Sequence, residues 1–465
     1  MLLSRITRTL ALGGAFITAA IVATPSQAMP AFARQTGKAC NTCHFQHMPI
    51  LNEYGMEFKA GGYTDMGKQA EVKGKELSIP GIFNASLYTK IRYQKDNGKD
   101  GTDNAANSVK TTHSGEIQFP DEFALLIGGR VTDNIGFMIE NQFAGGGVGF
   151  LAGFKLPITF KVGKSMKVGM TPFLTDGLGA SYGFEQLSTG AVRNIRSNEH
   201  RNETSAMQYV FFGGTGPRDT ANADPFAAVV GTGTRVTAGA ASGLAFSLWD
   251  PSFNVAYTRW TPHHLVEAGS NVGGLGSGLL RAVWTPTFGD WSLGIGIQSY
   301  MGSNVRFLPG GDNAQQTMVD TRGTAFDIQA HGAFGNMPLG VYLTHATAPG
   351  TPVGAASVNL FNENVNSRRA TVILAELGVI PNKATVSLAY RAANSGSNVA
   401  ADGGKDNSWT LGATYQVAQN VQLQVDHSTR TSRADGVGRY GVTNYVAGGT
   451  TRGSAMTTFM LSAGF

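Results

Sequence analysis

After its first thirty residues the 465-residue chain has no apolar run of the roughly 20 residues that a membrane-spanning helix needs, which excludes a helical membrane protein. Charge is sparse as well, at 14% of residues, and nearly balanced, with 36 Lys and Arg against 31 Asp and Glu. That balance, with no concentrated basic run, gives no footing for nucleic acid as a partner. Cysteine is almost missing, with two in the whole chain. Disorder is excluded in turn, because 26 Phe, 13 Tyr and 5 Trp carry too much apolar surface for a chain that stays unfolded. Glycine is abundant, at 62 residues, and mean hydropathy is −0.08. Polar and apolar residues alternating along many strands give that combination, so a large β-protein is the default.

Residues 1–28 read as a cleaved secretory signal. Arg5 and Arg8 precede the apolar stretch Leu10 to Val22, and Ser26-Gln27-Ala28 places small residues where a signal peptidase acts. The apolar core is too short for an anchor and Pro25 interrupts it. Loss of the two arginines lowers the formal charge from +5 to +3.

Both cysteines lie in Ala39-Cys40-Asn41-Thr42-Cys43-His44. A CxxC disulfide is the plain reading in an oxidising compartment. The sharper one is CxxCH, the attachment signal for haem c. Two residues between the thiols let each sulfur reach one vinyl group of the same porphyrin, and the following His is carried under the iron as its axial ligand. One motif means one covalent haem c, held by Cys40 and Cys43 and ligated by His44. A second ligand is open. His47 and Met48 sit too near His44 along the chain to reach the other side of the ring, and packing or surface is their expected role. Met56 and Met66 lie far enough on for the chain to double back, and they stand as distal candidates beside a His from elsewhere or an open position.

From about residue 82 the pattern becomes period two. Phe83, Ala85, Leu87, Thr89, Ile91 and Tyr93 alternate with Asn84, Ser86, Tyr88, Lys90 and Arg92, giving one face for lipid and one for water. The same alternation returns at Val386, Leu388 and Tyr390 and at Trp409, Leu411, Ala413 and Tyr415. Each segment approaches the roughly 9–11 residues of a tilted membrane-crossing strand. Connections alternate between short turns, such as Thr132-Asp133-Asn134 and Pro381-Asn382-Lys383, and long Gly/Asn/Ser-rich loops, such as 94–114 and 432–454. Short turns at one end and long loops at the other mark an outer-membrane barrel. The expected fold is all-β, a transmembrane barrel of about 16 antiparallel strands, with strands such as 82–93, 122–132, 154–163 and 279–287. Residues 174–242 exceed any single strand. They either fold inward and narrow the lumen or add a hairpin that would make eighteen strands. Phe459, Leu461, Ala463 and Phe465 alternate up to a terminal aromatic, as expected for a final strand ending at the aromatic girdle.

The expected organisation is a signal peptide at 1–28, a monohaem segment at 29–80 and a porin-like barrel at 81–465. A barrel of that size leaves an aqueous channel unless something fills it, and 29–80 is too short to bury a core of its own. Docking the segment in the lumen answers both needs.

The run Phe32-Ala33-Arg34-Gln35-Thr36-Gly37, Cys40 to His44, Pro49, Leu51-Asn52, Gly55, Phe58-Lys59 and Gly62-Tyr63 resembles the fused outer-membrane monohaem cytochrome-porins, a group that includes the outer-membrane iron oxidases of iron-oxidising bacteria. The motif resemblance covers about thirty-five residues, and the remainder agrees in architecture and length. It implies a haem plugged into a porin in the outer membrane of a Gram-negative bacterium, with electrons passing from extracellular Fe(II) to a periplasmic cytochrome. Members often carry Arg where this chain has Met56, which counts against Met56 as a shared distal ligand. A general electron conduit with another donor or acceptor, and a haem-plugged diffusion porin, are the alternatives. Loop residues Asp312, Asp320, Glu199, His200 and Asp219 are candidate weak ligands for a metal donor, and solvated loop positions are their plainer reading. No cluster has dedicated metal-ligand spacing.

Overall fold

Alternation along the strands is realised as an inside-out register. In a computed structural model that describes residues 30–75, 78–96, 115–143, 151–190, 205–212, 229–230, 234–235, 239–264, 274–307, 316–396, 404–431 and 455–465, the outward-facing side chains of the strands are mainly apolar, and the inward-facing ones are polar apart from an apolar cluster within the lumen. Trp409, Leu411 and Tyr415 are exposed, whereas Ser408, Thr410 and Thr414 between them are buried. Leu388 is 50% exposed and its neighbour Ser387 only 5%. A water-soluble core has the opposite polarity, so the outer belt faces lipid and the inner wall encloses a polar lumen. The expected signal segment 1–28 lies outside the described residues.

The sheet is a closed antiparallel barrel of sixteen strands. In chain order these are β1 (Ala85–Asp96), β2 (Glu116–Arg130), β3 (Gly136–Gln142), β4 (Leu151–Lys155 and Ile158–Val162), β5 (Met166–Thr175), β6 (Ala241–Asp250), β7 (Phe253–Thr261) and β8 (Ser277–Trp284 and Thr287–Phe288). They continue as β9 (Trp291–Phe307), β10 (Gly323–Phe334), β11 (Met337–Ala348), β12 (Arg368–Ile380), β13 (Ala384–Asn394), β14 (Ser408–Ala418), β15 (Val421–Arg430) and β16 (Ala455–Gly464). Each pairs with its neighbour, and β16 closes on β1 with Phe459 opposite Tyr93 and Leu461 opposite Ile91. Closure leaves no edge strand, as a lipid environment requires.

Three expected strands differ at a proline, and the strand expected at 82–93 runs three residues later, over Ala85–Asp96. The strand expected at 154–163 is split at Pro157 and that at 279–287 at Pro286, because proline has no N–H to give to the ladder. The strand expected at 122–132 runs instead over Glu116–Arg130 and carries Pro120 in a register shift opposite Lys90 and Arg92. Among its described residues, the segment 174–242 adds no further strand to the barrel. Its short pair Val229–Val230 and Thr234–Arg235 stands apart, and its helical turn Gln208–Phe212 lies inside the lumen. There Phe211 packs on Tyr300 and Phe361, with ring centroids 4.6 and 5.0 Å away, and Trp260 adjoins both of those rings. The inward fold is therefore the alternative adopted.

Among the described residues, three short helices precede the barrel: α1 (Pro30–Thr36), α2 (Cys40–Cys43) and α3 (Glu53–Ala60). They sit inside the wall near the short-turn end. Arg34 donates to the Ala85 carbonyl, the backbone N–H of Cys40 to Gln419 Oε1 at 3.2 Å, and Thr159 Oγ1 to the Gly61 carbonyl at 3.2 Å. Lys167 Nζ donates to Glu57 Oε1 at 3.1 Å.

Candidate functional site

The residues of the Phe32 to Gly37 run hold the segment to the wall. Gln35 donates to the carbonyls of Tyr63 and Asp65 at 2.6 and 2.8 Å, while its Oε1 accepts from the Arg130 N–H at 3.1 Å. One amide thus joins α1, the end of the segment and β2. Phe32 stacks on Tyr63 at 4.9 Å and meets Phe58 edge-on at 5.3 Å, a small aromatic core where the segment is too short for a large one.

Cys40 and Cys43 occupy a single helical turn, and both are half-buried thiols. Burial pushes the Cys43 thiol up from its ordinary value, with Lys38 opposing. The helix ends at His44, whose backbone is extended (φ −115°, ψ 140°). His44 then lies directly opposite Leu51 in a short antiparallel bridge, closed by Phe45 N–H to the Ile50 carbonyl at 2.9 Å and Asn52 N–H to the Cys43 carbonyl at 3.0 Å. Side chains alternate across such a ladder. His44 and Leu51 accordingly share one side, and Phe45 and Ile50 the other. The second side docks on the wall: Ile50 packs with Tyr342 and Leu374, and Phe45 lies flat on His331 with centroids 4.0 Å apart.

This local fold explains His47. A helical step would have left it on the face of His44, but the chain leaves the helix at His44. His47 instead points into the wall, where Nε2 is 2.9 Å from Glu376 Oε1. Its imidazole is buried against the wall, and the expected helical geometry is replaced by a turn. Met48 is half-buried beside it, and its carbonyl lies 2.7 Å from His47 Nδ1.

His44 Nδ1 lies 3.2 Å from the Ile50 carbonyl. A carbonyl only accepts, so Nδ1 carries the proton and Nε2 presents its lone pair. Burial, together with the nearby His47, lowers His44 to about 4, against the partial support of the Ile50 carbonyl, which keeps the imidazole neutral at neutral pH. A neutral imidazole with its second nitrogen fixed by a backbone carbonyl is the form a metal ligand takes. The turn is also clamped from behind. Asn52 caps α3 by accepting from the Gly55 N–H at 3.0 Å and donates to the Thr42 carbonyl at 3.0 Å. A Cβ at position 55 would stand 2.1 Å from the Cys43 carbonyl oxygen, so only glycine lets α3 lie against the CxxC turn. Two thiols on one turn followed by a neutral, oriented His fit a c-type haem.

Of the distal candidates, Met56 is buried on α3 with Leu187 and Val283, and Leu51 packs against them, on the His44 side of the bridge. Met66 is half-buried outside that cluster. Asp320, expected in a loop, instead ends the short strand Gln316–Asp320 and is paired with Arg322, at 2.5 Å from Nη2. Asp312, Glu199, His200 and Asp219 lie outside the described residues. Among the described residues no group of three or more His, Cys, Asp or Glu is placed to hold a metal ion, and no helix is long and apolar enough to cross a membrane. Sequence reasoning missed Glu376, Glu185 and Leu187, whose contacts join residues far apart in the chain.

The fold defines the class: a porin-like transmembrane β-barrel that holds its own N-terminal segment in the lumen. No family model matches the chain, and no curated protein matches its sequence. Among solved structures it is similar to outer-membrane expressed OmpT of Vibrio cholerae, at 12% identity and a TM-score of 0.45 over 85% of this chain and 100% of that one. The outer membrane channel DcaP of Acinetobacter baumannii gives 10% identity and 0.41 over 85% and 100%. A mutant of the Rh. blastica porin gives 10% and 0.41 over 83% and 100%. The barrel stands on its own strand pairing, and likeness at these values adds no function to it.

Proposed function

We propose that the chain is an outer-membrane cytochrome-porin that carries electrons across the outer membrane of a Gram-negative bacterium, from extracellular Fe(II) to a periplasmic c-type cytochrome. One observation carries this reading: the CxxCH turn sits inside the barrel with His44 neutral and its Nε2 lone pair presented. Cys40 and Cys43 would hold one haem c covalently, and His44 would ligate its iron. When bound, the haem supplies reversible one-electron chemistry at the iron.

The chain's own residues orient and enclose. Asn52 and Gly55 fix the CxxCH turn on α3, Gln35 and the His47–Glu376 pair tie that unit to β2 and β12, and Leu51, Met56 and Leu187 supply an apolar surround. The N-terminal segment and the described part of the inward loop both occupy the lumen, and a haem-plugged diffusion porin is an alternative compatible with the same barrel. Fe(II) as donor enters through the resemblance of the N-terminal run, and an electron conduit with another donor shares the same architecture. Haem staining after denaturing electrophoresis tests the cofactor. The stain should travel with the full chain and vanish in Cys40→Ser and Cys43→Ser, and an unstained wild-type chain produced with haem-attachment machinery would overturn the proposal.

A further inference from the structure

The inward loop between β5 and β6 is anchored to the wall at residues 185–190. Arg281 on β8 donates through Nε to Glu185 Oε2 and through Nη2 to Asp327 Oδ2, each at 2.9 Å, and all three groups are buried. Glu185 Oε1 accepts from the N–H groups of Gln186 and Leu187 at 2.9 and 2.8 Å. Thr189 Oγ1 donates to Asp327 Oδ2 at 2.8 Å, and the Ser188 N–H to Gln329 Oε1 at 2.9 Å. Bidentate, charge-assisted contacts of this kind fix position as well as contributing energy. What they position is one apolar side chain.

Leu187 packs against Met56 and Val283, beside Leu51, which stands opposite His44. Lys59 Nζ donates to the Glu185 carbonyl, so α3 meets the loop at two residues three apart on one helical face. The wall is shaped for the contact: a Cβ at Gly294 would come within 2.7 Å of Leu187 Cδ1.

We propose that Leu187 is a positioning residue of the haem site, the apolar cover that the inward loop places over the His44 side of the CxxCH turn to keep water from it. This rests on the haem reading above. An apolar, water-poor surround disfavours the more highly charged ferric state and raises the reduction potential. Polar or displaced side chains at this point should therefore lower the potential and admit small exogenous ligands.

The test uses the full haem-bearing chain and three variants, Leu187→Ser, Leu187→Met and Gly294→Ala, the last moving Leu187 without deleting any group. Midpoint potential and the spectral response to added imidazole are read, with heat-modifiable migration as the check on barrel folding. Leu187→Ser and Gly294→Ala should lower the potential and respond at lower imidazole concentration, while Leu187→Met matches wild type. Wild-type potential and imidazole response in folded, haem-bearing Leu187→Ser or Gly294→Ala overturn the cover. A wild-type chain without covalent haem overturns the haem reading itself, which separates the two failures.

Discussion

The His47 imidazole meets the Glu376 carboxylate inside the barrel at 2.9 Å, both side chains almost wholly buried, and this pair ties the segment carrying Cys40, Cys43 and His44 to strand β12. Burial alone would lower His47, but the charge and hydrogen bond of Glu376 outweigh it and hold the imidazole above its ordinary 6.5. Tyr342 and the neutral His44 are the other titratable neighbours.

The sign of the pH effect follows from that raised value. The stabilisation is complete below 6.5, where the undocked His47 is also protonated, and is lost as pH rises through the higher docked value. Protection of residues 30–75 from protease should therefore fall on going to alkaline pH while the barrel persists. Glu376→Gln should weaken docking by about 3–5 kcal/mol, the range for breaking a buried pair, and flatten the pH dependence. Equal pH profiles for the variant and wild type would count against the pair as the docking tie.

Gly55→Ala should separate the CxxCH turn from the barrel. With the Cys43 carbonyl 2.1 Å from the new Cβ, the turn must move off α3, whereas β1 to β16 are untouched. The expected result is loss of covalent haem with normal heat-modifiable migration. Full haem loading in the variant would show that the turn tolerates the shift.

The lipid-facing register is tested at Leu388, in the middle of β13 and outward-pointing. Leu388→Arg should cost about 2–4 kcal/mol of folding stability in bilayers. Urea titration of vesicle-refolded protein measures it, and an unchanged midpoint would mean that this face does not meet hydrocarbon.

The barrel was legible in the sequence because alternation is local: Trp409, Leu411 and Tyr415 announce their face without reference to any partner. Pro157 and Pro286 broke strands that the alternation carried through, since a missing N–H does not register in a hydropathy pattern. The CxxCH turn was legible for the same reason, as five contiguous residues. Its supports were not. Gln35 with Arg130, His47 with Glu376, and Leu187 with Met56 join residues about a hundred to more than three hundred positions apart. In the strands Glu376 and Arg281 were simply two more polar residues on inward faces. The exception is the Phe32 to Tyr63 run, whose resemblance marked Gln35 and Gly55 before any contact was known.

The most direct test is a spectroelectrochemical titration of the purified, oxidised full chain with Fe(II) as donor, alongside His44→Ala. Fe(II) should reduce the haem band of the wild type across the working pH range, and His44→Ala should lose that response while retaining barrel migration. A haem band that a chemical reductant reduces but Fe(II) leaves oxidised would contradict iron oxidation, and loss of the barrel in His44→Ala would contradict a site carried by a segment separate from the wall.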